Sequence, residues 1–170
     1  MCPRIYAECL ASRNNGKMHG KWIDAAQSAE EIQNEINGML AASPEPSAEE
    51  YEIVDSEGFD PFTRVTGETL ETISKLGELV EEHGEAIAAY YWNDVSIDLE
   101  DLEGSFLDDY VGGFDSFEDY AEHYIEDTGV LIDVPDSLKQ YFDVAKFARD
   151  LRHDFWVHDS VGTFHVFRNS

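Results

Sequence analysis

Residues 116–129 read SFEDYAEHYIEDTG. Ser116 and the acids just after it open a helix in the usual way, and Gly129 is a suitable residue for ending one. Between them Phe117, Tyr120, Ala121, Tyr124 and Ile125 fall on one face at helical spacing. Glu118, Glu122 and Glu126 form an i, i+4, i+8 row on the same helix. One segment thus carries both a core-forming stripe and an uncompensated line of carboxylates, so acid and fold belong to the same elements here.

The pattern extends outward in both directions as α+β. Upstream, Asp108 to Phe114 is a strand weakened by two glycines, and a short helix fits within Ile97 to Phe106. From Thr66 to Trp92 the spacing is helical, with Leu70, Ile73, Leu76, Val80 and Ile87 as the stripe and a break near His83-Gly84. Closer to the start, Arg4 to Ala11 alternates as a strand that buries Ile5, Ala7 and Cys9. Asn14-Asn15-Gly16 then turns the chain into a strand near Lys21 to Ile23. Ser28 and Glu31 make a capping box for a helix that ends near Ala42, and Tyr51 to Asp55 is a third strand. Downstream, Pro135 to Phe142 and Asp143 to His153 are short helices, and Phe155–Asp159 with Thr163–Phe167 close the chain as a hairpin. The expected architecture is an elongated chain of small modules: residues 1–62 α+β with a three-stranded sheet and one helix, 63–103 acidic and helical, and 104–170 α+β.

The chain has 170 residues, of which 42% are hydrophobic and 12% aromatic, which is enough for a packed core and argues against disorder. Against 37 acids stand 11 lysines and arginines, for a net charge of −26. Residues 44–136 hold 28 acids with only Arg64 and Lys75 as bases, while both flanks are nearly balanced. Adaptation to salt would spread acid over every surface segment, so this localisation speaks against it. A basic patch for nucleic acid or an anionic membrane is ruled out. No apolar run reaches the length of a membrane span, no signal peptide is expected, and the protein is read as cytoplasmic.

Patterns that carry chemistry are missing. The sequence contains no GxSxG, Walker A, GxGxxG, HExxH or paired-cysteine zinc motif. Cys2 and Cys9 read as reduced thiols. His153, His158 and His165 read as structural histidines. Asp94, Ser96, Asp98 and Glu100 imitate the start of a calcium loop, but Leu99 replaces its glycine and Ser105 its closing glutamate. No catalytic residue, cofactor or resident metal is expected.

What remains is acid placed at a cost. Each like-charge i, i+4 contact costs about 0.2–0.5 kcal/mol, and on the helices of 44–136 only Lys75, four residues after Glu71, offsets any of it. Such a region points to a cationic partner. Duplex DNA carries one negative charge per about 1.7 Å of axis, so a dimer of this chain would match roughly 26 base pairs. A folded acidic surface of that kind can occupy an enzyme's DNA groove; an acidic binding protein or chaperone for other basic DNA-binding proteins is the alternative.

Ordered blocks add a resemblance. Arg4-Ile-Tyr-Ala-Glu-Cys-Leu10, His19-Gly20-Lys-Trp22-Ile-Asp24 and Pro44-Glu-Pro46 lie in the first part of the chain. Ser116-Phe-Glu-Asp-Tyr120, Tyr124-Ile-Glu-Asp-Thr-Gly129, Val134-Pro135-Asp-Ser-Leu138, Tyr141-Phe-Asp143 and Ala148-Arg149-Asp150-Leu151 lie in the last. Through them the sequence resembles the ArdA antirestriction proteins of mobile genetic elements; residues 63–103 match only in being helical and acidic. The resemblance implies a three-domain, elongated homodimer that mimics bent B-form DNA. It further implies inhibition of type I restriction-modification enzymes by occupying the DNA site of their specificity and methyltransferase subunits, without catalysis or cofactor. The acids expected to stand for phosphates are Glu68, Glu71, Glu78, Glu81, Glu82 and Glu85; Asp94, Asp98, Glu100, Asp101, Asp108 and Asp109; and Asp115, Glu118, Asp119, Glu122, Glu126, Asp127, Asp133 and Asp136. Phe155, Trp156, Phe164 and Phe167, in the balanced C-terminal stretch, are the expected dimer contact.

Overall fold

In a computed structural model, residues 2–61 and 64–169 are described. The chain forms two compact units, Met1–Gly104 and Ser105–Ser170. The expected boundary between 62 and 63 falls on residues outside the described set.

The first unit is built on a three-stranded antiparallel sheet in the order β2-β1-β3, from β1 (Arg4–Cys9), β2 (Gly20–Asp24) and β3 (Tyr51–Glu57). Alternation along β1 puts Ile5, Ala7 and Cys9 fully inside, as their spacing predicts. The segment between β1 and β2 is more than a turn. A short helix, α1 (Leu10–Asn14), buries Ser12 so that its hydroxyl meets that of Ser43 at 2.9 Å. Helix α2 (Ala29–Ala41) starts at the Ser28–Glu31 capping box and presses Ile32 and Ile36 into the interior.

Helix α3 (Leu70–His83) begins at Thr69, whose hydroxyl caps Thr72 N, and buries Ile73, Leu76, Leu79 and Val80. At Gly84, with φ of +81°, the chain breaks direction. Helix α4 (Glu85–Asn93) follows, its burial almost continuous from Ala86 to Tyr91. The first turn of α5 (Leu102–Asp109) completes the unit with fully buried Leu102.

The second unit holds a sheet in the order β4-β6-β5, from β4 (Tyr110–Phe114), β5 (Phe155–Ser160) and β6 (Thr163–Arg168). The expected strand from Asp108 is shorter because α5 claims its first residues. One face of the sheet meets α6 (Phe117–Thr128) and α8 (Val144–Leu151) in a core of Phe117, Tyr120, Ala121, Ala148, Leu151 and Val166. Helix α6 is capped by the Ser116 hydroxyl and ends on left-handed Gly129. The expected helix over 135–142 is a single turn, α7 (Asp136–Lys139). The other face carries Tyr110 stacked on Phe106, with Phe167 against Trp156 at 4.5 Å between centroids. The helices and antiparallel sheets make the fold α+β.

Candidate functional site

The acids in question lie on helices whose apolar sides are consumed by the core of each unit, and in the turns and loops beside them, and most of them face water. Of the twenty carboxylates expected to stand for phosphates, seventeen are exposed, and Glu68, Glu85 and Asp109 are half-buried. On α3, Glu71, Glu78, Glu81 and Glu82 are exposed between the buried positions Ile73, Leu76, Leu79 and Val80. On α6, Glu118, Asp119, Glu122, Glu126 and Asp127 are all exposed, while Phe117, Tyr120 and Ala121 are buried.

Among the described residues, few of the seventeen exposed acids face a cation. Asp136 pairs with Lys139 at 2.9 Å, and Asp127 faces His123 at 3.1 Å. The Lys139 ammonium holds the Asp136 carboxyl below the usual carboxylate range. Lys75 forms no ion pair with Glu71, so the one offset expected on these helices is not made. The start of the chain behaves oppositely. There Arg4 meets Glu57, Arg13 meets Glu52, Lys17 meets Glu45, Lys21 meets Glu35 and Arg64 meets Asp55, all at 2.6–2.7 Å. The hydrogen bond from Lys21, then that from Gln27, depresses the Glu35 pKa.

The calcium-like stretch resolves into two local turns. Asp94 Oδ1 accepts from Ser96 N at 3.0 Å and from the Ser96 hydroxyl, which keeps its pKa low. Asp98 Oδ1 accepts from Glu100 N at 3.2 Å. These carboxylates are turned to their own backbone. Among the late histidines, His165 is buried with Nδ1 3.0 Å from the Tyr110 hydroxyl, His158 lies across from it on β5, and His153 is exposed. A cleft in the first unit is lined by Cys2, Ser56, Phe59, Asp60, Val80 and Gly84 among others, and the described lining contains no histidine to activate its cysteine or serine.

The four aromatics expected at a dimer contact divide. Phe167 is fully buried within its own unit, and Phe155 packs against the Phe117–Val166 core. Trp156 and Phe164 are half-buried. Apolar exposure in this unit is instead concentrated just after α6, at Val130, Ile132, Leu138 and Tyr141, with Ile132 79% and Tyr141 77% exposed. In the sequence only Val130-Leu131-Ile132 marks this stretch, as an apolar run outside any amphipathic period.

Comparison with protein families matches residues 5–164 to the family described as antirestriction protein (ArdA). No curated protein matches the chain.

Proposed function

The chain belongs to the ArdA antirestriction family, which acts against restriction-modification enzymes, and from that premise we propose that it inhibits type I enzymes as a folded mimic of B-form DNA. The observation that supports this reading is the exposure of seventeen phosphate-like carboxylates, eleven on helices and six in the turns and loops beside them, of which only Asp127 and Asp136 face a cation among the described residues. An enzyme's DNA channel supplies the missing cations. Its lysines and arginines exchange condensed counterions for these acids, as they do for phosphates, so binding weakens steeply with salt.

In this reading no residue performs chemistry. The acids on α3, along 94–109 and on α6 act together, occupying the DNA site shared by the specificity and methyltransferase subunits. A second copy extends the charged surface. The contact between copies draws on Trp156 and Phe164 and on the exposed side chains of Val130, Ile132, Leu138 and Tyr141. The middle acidic helices and the flanking α+β segments serve as successive modules, each contributing its own acids. The protein works in the cytoplasm, as a product of a mobile genetic element entering a restricting host.

Titration of the purified protein into a type I enzyme bound to labelled target DNA, in steps of salt, tests this. Stoichiometric displacement that salt weakens, and that recurs with enzymes reading different sequences, is expected. Absence of displacement by a large excess of folded protein would overturn the reading and favour an acidic chaperone for other basic proteins.

A further inference from the structure

We propose that Glu82, His83 and Glu103 form a binding site for one divalent cation of borderline softness, with zinc as the representative ion. One carboxylate oxygen from each glutamate and one imidazole nitrogen lie within 4.8 Å of one another, the one such trio among the described residues. His83 Nε2 is 2.8 Å from Glu103 Oε1, and the histidine side chain is only 16% exposed while that of Glu103 is 40% exposed. The imidazole is therefore held and aimed, and two carboxylates reach it from the solvent side.

The geometry is close to what an ion needs. Zinc takes nitrogen and oxygen donors at about 2.0–2.2 Å, so tetrahedral ligand atoms sit roughly 3.3 Å apart. Lengthening the 2.8 Å contact by about half an ångström while Glu82 swings inward needs only side-chain torsions. The cation takes the place of the proton between His83 Nε2 and Glu103: a neutral imidazole then carries that proton on Nδ1, and an imidazolium releases one to solvent. Three protein donors leave a fourth position for water.

Two further features favour a cation here. His83 is the last residue of α3, where backbone carbonyls point outward and the helix carries partial negative charge. Glu78, Glu81 and Glu85 surround the position in sequence, and Lys75 is the only lysine or arginine between Arg64 and Lys139. The imidazole separates this trio from the rest of the acidic surface. Oxygen-only sites suit calcium and magnesium, whereas an imidazole nitrogen selects zinc, cobalt or nickel. Sequence could not show the site, because its ligands come from the end of one helix and the start of another with no motif spacing between them. Bound, the ion ties the end of α3 to Glu103 across the Gly84 break.

Glu82 is also among the proposed phosphate-mimicking acids, but this inference does not depend on mimicry, and its test contains no restriction enzyme. The full-length protein, stripped with chelator, is titrated with zinc chloride by calorimetry at near-physiological salt, and with cobalt(II) by visible absorption. One tight equivalent per chain is expected, with a cobalt spectrum of low coordination number. His83→Asn and Glu103→Gln should each weaken it at least about tenfold. His153→Asn, outside the trio, should leave it unchanged. Circular dichroism reports folding; if His83→Asn unfolds, the half-exposed Glu103→Gln decides. Weak uptake of many equivalents that neither variant alters would overturn the proposal, as would equal loss in His153→Asn.

Discussion

Ser74 donates its hydroxyl hydrogen to the backbone carbonyl of Gln27 at 2.7 Å, joining acidic helix α3 to the loop that follows β2. One turn later Gly77 lies so close to this loop that a Cβ would come within 2.3 Å of the Ala25 carbonyl oxygen. A charged helix thereby rests on an uncharged stretch of backbone, and one hydroxyl and one missing side chain set how closely it approaches there.

Gly77→Ala raises helix propensity and should nonetheless destabilise the protein by about 1–3 kcal/mol, because the obstructing atoms are backbone and cannot rotate away. Ser74→Ala should cost about 1 kcal/mol. Urea denaturation measures both; a neutral Gly77→Ala would mean that α3 does not approach so closely.

The row Glu118, Glu122 and Glu126 predicts a trade between stability and inhibition. Converting all three to glutamine removes two like-charge contacts and should add up to about 1 kcal/mol at low ionic strength. The gain should shrink in high salt. Inhibition of a type I enzyme should fall with the triple change and only slightly with any single one.

Val161 offers a separate gain. It sits at φ of +47° at the tip of the β5–β6 hairpin, a conformation that a β-branched residue adopts at a cost of about 1–2 kcal/mol. Its side chain is 77% exposed, so little burial is at stake. Val161→Asn should raise the melting temperature, whereas the same change at buried Val166 should lower it.

Acid pH should separate the two kinds of carboxylate. Glu31 is held below the ordinary range by the Ser28 hydroxyl and backbone N–H, and Glu45 by Lys17. A depressed folded pKa gives stability that is present above the unfolded value and lost as pH falls through the folded one. Between about pH 5 and pH 3, Ser28→Ala should therefore lose less stability than the wild-type protein does. Parallel curves from urea melts across that window would contradict the assignment.

Self-association is checked by sedimentation. Ile132→Glu together with Tyr141→Glu should shift the protein toward monomer without changing its circular dichroism, since both side chains are largely exposed. A dimeric mass that both substitutions leave unchanged would move the contact to Trp156 and Phe164, and a wild-type protein that sediments as a monomer would remove the proposed dimer.

Legibility in the sequence followed locality. The Ser28–Glu31 box, the Ser116 cap, the Gly129 terminus and the Gly84 break are each written within a few neighbouring residues, and all four formed. Helix α1 is not legible in the sequence because its five residues carry no periodicity, and Ser12 is buried through a partner at Ser43, far along the chain. The role of Phe167 was hidden for another reason. Strand β6 presents apolar groups to both faces, Val166 to one core and Phe167 to the Trp156 side, so alternation could not say which residue was free. The acids were visible as a composition, but their exposure depended on the helical phase set by the cores. The Glu82, His83 and Glu103 trio was invisible because only tertiary folding brings Glu103 to the others.

Helix α6 carries five acids in twelve residues. At about 1.5 Å of rise per residue that is one charge per roughly 3.6 Å. The duplex offers one per about 1.7 Å. A peptide cut from this helix would thus present only half the linear charge density that a DNA channel is built to hold, and would be a poor decoy. On the proposed mimicry, a duplex-like charge density has to come from more than this one helix, so a lesion that unfolds the other acidic segments should disarm the inhibitor while leaving every carboxylate in place.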